Sequence, residues 1–204
     1  MSHTPSPLRH GLRWSTAGES HGPALIALLE GLPAGLTVDF DSVSLGMKRR
    51  WAGLGRGPRA KFETDALQVL SGFKKGSSLG TPVSLMIGNS DTRIDELPNL
   101  SAPRPGHADL AGVMRSQCRD IRAVLERASA RETAARTAIG EIARQLLDVF
   151  GISVESRVLE IGGISASDSS SEHQSWDAVI QKAMEDGDSL GGIFEIRATG
   201  CPPG

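Results

Sequence analysis

The chain has 204 residues, 39% of them hydrophobic and 23% charged, and a formal net charge of −2. That balance fits one large globular domain or two small ones and excludes a chain disordered throughout. It also argues against bulk nucleic-acid binding, which calls for a basic domain, so an anion site has to come from a local cluster of cations.

Residues 1–11 are polar, include Pro5 and Pro7, and are expected to form a flexible N-terminus ahead of one domain over residues 12–204. No apolar segment of a secretory signal is present there. No run reaches the ~18 apolar residues of a membrane helix, so the cytoplasm is the default compartment. Strands are expected at Leu12–Ser15, Ala24–Leu32, Leu36–Phe40, Leu67–Phe73, Val83–Ile87, Ile152–Ile161 and Ile193–Ala198, punctuated by Gly and Pro. A short helix is expected over Asp41–Trp51. A longer one over Ser129–Phe150 repeats Ala135, Ile139, Ile142, Leu146 and Phe150 at helical spacing. Ser129 and Glu132 read as its capping box and Gly151 as its stop. A further helix spans Ser175–Glu185, after a serine-rich surface loop over Ser165–Ser175. Cys118 and Cys201 form no C-x-x-C pair and read as small buried hydrophobes, not as a disulfide or zinc site. Strands precede each helix without steady alternation, which favours an α+β fold with antiparallel sheets over a doubly wound parallel sheet.

Four segments carry candidate chemistry. Gly18-Glu19-Ser20-His21-Gly22 matches G-x-S-x-G, yet Pro23 and Ala24 open a strand where a nucleophile elbow would lead into a helix. Its histidine suits proton transfer near neutrality. Lys48, Arg49, Arg50, Arg56, Arg59 and Lys61, interleaved with glycines, can surround a polyanion, because the guanidinium fork pairs with carboxylate or phosphate. Trp51 alone could stack on a base there, which is thin support for a nucleic-acid ligand. Arg104-Pro105-Gly106-His107-Ala108-Asp109 packs Arg, His and Asp into one turn, where Asp109 can orient the imidazole. Glu126-Arg127-Ala128-Ser129-Ala130-Arg131-Glu132-Thr133 opens a capped helix, whose free N–H groups and partial positive charge favour phosphate.

Taken in order, T-A-G-E-S-H-G from Thr16, G-R-G-P-R from Gly55, R-P-G-H-A-D from Arg104 and E-R-A-S-A-R-E-T-A-A-R from Glu126 resemble the chorismate synthase family. Asp186-Gly187-Asp188-Ser189-Leu190-Gly191-Gly192 and Gly200-Cys201-Pro202-Pro203-Gly204 extend the resemblance to the last residue. It implies a β-α-β sandwich with antiparallel sheets flanking a helical layer, assembled as a homotetramer. It implies 1,4-anti elimination of phosphate from 5-enolpyruvylshikimate 3-phosphate to give chorismate, the last step of the shikimate pathway, with reduced FMN and no net redox change. His21 and His107 would be proton donors. Ser20, Arg50, Arg56, Arg104 and Arg131 would surround the substrate. Arg127, Ala128 and Ser129 would contact FMN, and Arg50 and Arg56 would serve NADPH in members that reduce their own flavin. Trp51 stands where the family often has a third consecutive arginine, and the segment between Asn89 and Pro103 is short for the family. Members continue past the match to Gly204 with a portion that adds flavin contacts and a proton-accepting aspartate. This chain is therefore expected to bind FMN weakly and not to turn over alone. The alternatives are a non-catalytic anion-binding or interaction module and, more distantly, a serine hydrolase acting through Ser20, which leaves the arginine loop unexplained.

Overall fold

The computed structural model describes residues 11–52, 55–166 and 172–203. The expected flexible N-terminus apart from Gly11, and residues 167–171 of the expected serine-rich loop, lie outside them. The chain divides into two compact units, Met1–Arg50 with Phe62–Ile142, and Trp51–Lys61 with Ala143–Gly204.

In the first unit β1 (Arg13–Ala17), β2 (Ala24–Glu30), β3 (Leu67–Ser71) and β6 (Val83–Gly88) form an antiparallel sheet in the order β1-β2-β6-β3. The short hairpin of β4 (Phe73–Lys74) and β5 (Ser77–Ser78) stands beside it as its own sheet. Period-two alternation puts Leu25, Ala27 and Leu29 opposite Ile87, Leu85 and Val83, and every one of these side chains is 1% exposed or less. Burying each larger member of this row is worth about 1.5–3 kcal/mol. Helix α1 (Phe40–Lys48) adds Val43 and Met47 to the buried set, and α4 (Thr133–Val149) adds Ala134, Ala135, Ala138, Ile139 and Ile142. Arg49 Nη2 donates to Glu141 Oε1 at 2.8 Å, tying the end of α1 to α4.

The expected strand Leu36–Phe40 does not form. Asp39 accepts from Asp41 N at 3.0 Å and Ser42 N at 3.3 Å, so it caps α1 and makes Phe40 helical. Only an isolated bridge, Thr37 to Ser77, remains of that strand. The long helix begins at Thr133, after a 3₁₀ turn over Ala130–Glu132. Ser129 caps that turn by accepting from Arg131 N at 3.2 Å, while Glu132 accepts from Thr16 and Arg136. Helices α2 (Asp109–Ser116) and α3 (Arg122–Arg127) were not expected: α3 is short, and neither has a side-chain N-cap.

The second unit holds the antiparallel sheet β8 (Ile164–Ser165), β7 (Ser153–Ile161) and β9 (Gly192–Thr199), with α5 (Glu172–Asp186) between β8 and β9 in sequence. Glu155 pairs with Arg197 and Arg157 with Glu195, which sets a charged row on one face. The other face presents Val154, Val158, Phe194 and Ile196, all exposed. Every strand pair described is antiparallel, so the fold is α+β, as the sequence implied. Cys118 is half-buried and Cys201 exposed, both free, so neither is the buried hydrophobe expected. No helix among the described residues is long and apolar enough to cross a membrane.

Candidate functional site

The turn between β1 and β2 depends on Gly18. Its φ is +100°, and a Cβ there would stand 2.4 Å from Ala24 O and 2.9 Å from Leu25 Cα. Gly18→Ala should therefore destabilise the first unit by about 1–3 kcal/mol, read as a lower urea midpoint at unchanged slope. The turn leads into β2, not a helix, and Ser20 is 5% exposed. The nucleophile-elbow geometry required for a hydrolase is absent from this turn.

His21 is fixed from several sides. Its backbone N–H reaches Glu126 Oε2 at 2.9 Å and its Nδ1 lies 2.8 Å from the same oxygen. Nε2 is 3.6 Å from Asp91 Oδ2. The His21 carbonyl accepts from Ile94 N at 3.0 Å, and Ser20 N donates to the Glu126 carbonyl at 3.0 Å. Asn89 closes the turn by donating from Nδ2 to the carbonyls of Glu19 (3.1 Å) and Gly22 (2.7 Å).

His107 belongs to a second buried-carboxylate cluster. Asp109, at the first position of α2, is fully buried and accepts from Arg104 Nε at 2.8 Å, Arg104 N at 3.0 Å and Arg104 Nη2 at 3.0 Å. His107 Nδ1 lies 2.9 Å from Asp109 Oδ1 and 2.9 Å from Arg104 Nη2. The Arg104 side-chain hydrogen bond holds the Asp109 carboxyl far below the usual carboxylate range. Burial opposes this, and the Arg104 amide and His107 reinforce it. Arg104 is raised in turn, first by its bond to Asp109, with the charges of Asp109 and Glu126 adding. At Gly112 of α2 a Cβ would lie 2.3 Å from Val124 Cγ1 of α3, so the two helices touch there. Because the folded pKa of Asp109 is depressed, its contribution is present above the ordinary carboxylate value and lost as pH falls. Between about pH 5 and pH 2, the urea midpoint of the wild type should fall more steeply than that of Asp109→Asn.

Arg131 and Arg50 form the third cluster. Arg131 is 4% exposed. It donates from Nε to Asn89 Oδ1 at 2.7 Å and from Nη2 to the Gly88 carbonyl at 3.0 Å, and Nη1 pairs with Asp65. Glu63 Oε1 lies 3.5 Å from Nη2. Arg50 donates from Nη1 to Asp65 Oδ2 at 2.7 Å and from Nη2 to Thr133 Oγ1 at 2.9 Å. Both guanidinium groups face protein oxygens, and Arg131 is enclosed. Asn89, bonded to Arg131 and to the Gly18–Gly22 turn, joins this cluster to His21.

Arg127 donates from Nη2 to Thr16 O and Oγ1, both at 2.8 Å, and Nη1 stands 3.4 Å from Glu132 Oε2 without a hydrogen bond. Burial pushes Glu132 upward, but the bonds from Thr16 and Arg136 and the charges of Arg127 and Arg136 outweigh it and leave it lowered. Ala128 N donates to Val124 O at 2.8 Å, and Ser129 is half-buried. Arg56 belongs to the second unit, where its Nε donates to Ala52 O at 3.0 Å.

Within the first unit, hydrogen bonds and ion pairs join His21 to Glu126 and, through Asn89, the His21 turn to Arg131, Asp65 and Arg50, while α2, which begins at Asp109 of the His107 cluster, packs on α3, which carries Glu126. Sequence reasoning missed Glu63, Asp65, Asn89 and Asp91, and it quoted Glu126 without giving it a task. Glu126 and Asp91 lie far along the chain from His21, and Glu63 and Asp65 from Arg131, so no spacing could announce those pairings.

A family model for chorismate synthase matches residues 12–204. Chorismate synthase of Thermoanaerobacter pseudethanolicus is 47% identical over 196 residues, 95% of this chain and 54% of that protein. That of Caldanaerobacter subterraneus is 46% identical over 196 residues with the same coverage, and that of Leifsonia xyli 44% over 231 residues, covering 95% and 58%. A crystal structure of chorismate synthase superposes with a TM-score of 0.72 at 34% identity, covering 92% of this chain and 58% of that one. The chain spans little more than half the length of these relatives. Matched along its whole length from Leu12 onward, it belongs to the chorismate synthase family.

Proposed function

We propose that this chain carries the histidine-bearing part of a chorismate synthase, a carbon–oxygen lyase of aromatic amino-acid biosynthesis. The reaction is the elimination of phosphate from 5-enolpyruvylshikimate 3-phosphate, with reduced FMN as cofactor, and the working assembly is a homotetramer. The observation that carries this reading is the pair of imidazoles, His21 and His107. Each has Nδ1 within 2.9 Å of a buried carboxylate, Glu126 for His21 and Asp109 for His107.

The residues offered to the flavin fit an anionic group in part. Arg127 keeps Nη1 without a hydrogen bond, and the Ser129 hydroxyl, which accepts from Arg131 N, keeps its hydrogen to donate. The Ala128 amide is already used within α3. When bound, reduced flavin supplies electron density that no side chain offers.

The substrate carries two carboxylates and a phosphate, and the leaving phosphate gains charge in the transition state. Arg104, half-exposed beside His107, is the guanidinium best placed to answer that charge. Ser20, Arg50 and Arg56 are assigned to the other anionic groups, Arg50 giving up a bond to Thr133 or Asp65 to do so. Arg50 and Arg56 would also serve NADPH. Arg131, held by Glu63, Asp65 and Asn89, supports the His21 turn from behind. His21 and His107 hold protons for general acid catalysis.

The test is a chimera in which residues 12–204 replace the matching part of the Thermoanaerobacter pseudethanolicus relative. It is assayed anaerobically with reduced FMN and 5-enolpyruvylshikimate 3-phosphate. Chorismate is the expected product. A folded chimera that binds flavin yet yields none would overturn the proposal. Failure to bind flavin would favour the non-catalytic module.

A further inference from the structure

The two histidines are not held alike, and the difference identifies a residue that the proposed reaction leaves without a role. At His107, Nδ1 faces an acceptor, Asp109 Oδ1, and a donor, Arg104 Nη2, each at 2.9 Å. Among the described residues, both His21 ring nitrogens face carboxylates: Nδ1 faces Glu126 at 2.8 Å and Nε2 faces Asp91 at 3.6 Å. The Glu126 side chain is fully buried, and Oε2, the atom beside Nδ1, already accepts the His21 backbone N–H at 2.9 Å. Its other oxygen lies 3.4 Å from Arg122 Nη1, whose group can only donate. With an N–H and a cation both aimed at it, Glu126 is the acceptor of the pair. The hydrogen between it and His21 belongs to Nδ1.

We propose that Glu126 is the positioning residue of His21. It fixes the ring on Nδ1–H and thereby leaves Nε2 as the nitrogen that gains and releases a proton in the reaction. The same residue also holds the backbone of the turn: its side-chain Oε2 receives the His21 amide, and its backbone carbonyl receives the amide of Ser20. The His21 ring and the His21 amide are therefore both held by one buried carboxylate at the end of α3. Asp91, itself paired with Arg93 Nε at 3.2 Å, faces the working nitrogen. A histidine whose tautomer is dictated by a carboxylate on its far nitrogen presents one defined site for proton transfer. The catalytic consequence rests on the function proposed above. The location of the hydrogen does not.

The experiment is nitrogen-15 NMR of the labelled 204-residue chain at alkaline pH, where imidazole is neutral. The His21 ring signals are assigned by their loss in His21→Gln. The wild type should show Nδ1 protonated and Nε2 bare. Glu126→Ala should transfer the hydrogen to Nε2 in most molecules. Glu126→Gln, whose amide oxygen can still accept, should keep it on Nδ1. A wild-type His21 with its hydrogen on Nε2 overturns the inference, and that spectrum needs no variant to fold. So does a folded Glu126→Ala variant with unchanged ring signals. In the chimera, Glu126→Ala should lower kcat on the order of 10²-fold with little change in KM, and Glu126→Gln should restore most of it. An inactive chimera with Nδ1–H on His21 defeats the functional reading alone. An active one with Nε2–H defeats this inference alone.

Discussion

Replacing Arg131 with methionine should destabilise the first unit by about 3–5 kcal/mol, the range for stripping one partner from a buried ion pair. The guanidinium is 4% exposed and neutralises Asp65 and Glu63, which are 6% and 7% exposed. Methionine fills comparable volume but answers neither carboxylate and leaves Asn89 Oδ1 and the Gly88 carbonyl without their donor. Arg50 still reaches Asp65 at 2.7 Å and Ser90 N still donates to Glu63 Oε1 at 2.8 Å, so each carboxylate keeps a partner while the cluster loses a cation. Urea unfolding reads the effect as a drop in midpoint at constant slope. Adding Glu63→Gln to Arg131→Met should recover part of the loss, because it removes one buried negative charge from a cluster that has lost the Arg131 cation. An unfolding free energy within ~0.5 kcal/mol of wild type would show that Arg131 is not enclosed in solution. The loss should also reach His21, since Asn89 is held by Arg131 on one side and holds the Gly18–Gly22 turn on the other.

How far this site can be read from the sequence follows from which interactions are local. Strands β2 and β6 are legible as short apolar runs bounded by Pro and Gly; which of their residues face the core is not, since Leu25, Ala27 and Leu29 are buried while the equally apolar Leu28 is exposed. The Arg104–Asp109 pair is legible because both members sit in one turn. Leu36–Phe40 reads as a strand by composition, but the capping bonds of Asp39 override it at the last residue. Helix α2 hides because Leu110 and Met114 are exposed, so its apolar residues mark no core face. The partners of the arginines and histidines hide for another reason. Glu126 and His21 are 105 positions apart, and Asp65 and Arg131 are 66 apart. An arginine-rich stretch looks like an anion site whether its anions are a ligand's or the protein's own. Asp65 and Glu141 show that Arg50 and Arg49 belong partly to the second case.

In the active chimera, His107→Ala should lower kcat by about 10²–10⁴-fold, the span for losing a general acid, while KM changes little. The imidazole carries no share of anion binding here: the cation beside it is Arg104, which keeps its bonds to Asp109 when the ring is removed. Binding contacts therefore survive and the proton donor does not, which is the pattern of an interaction made only in the transition state. Asp109→Asn should lower kcat as well, because an amide cannot hold both Arg104 and the His107 ring as the carboxylate does. The double variant should lose scarcely more than His107→Ala alone, since Asp109 acts on the reaction through the ring it orients. Losses that multiply instead would mean that Asp109 serves mainly by setting Arg104, with His107 acting independently of it. A His107→Ala chimera at the full wild-type rate would remove this histidine from the reaction and leave His21, anchored on Glu126, as the donor.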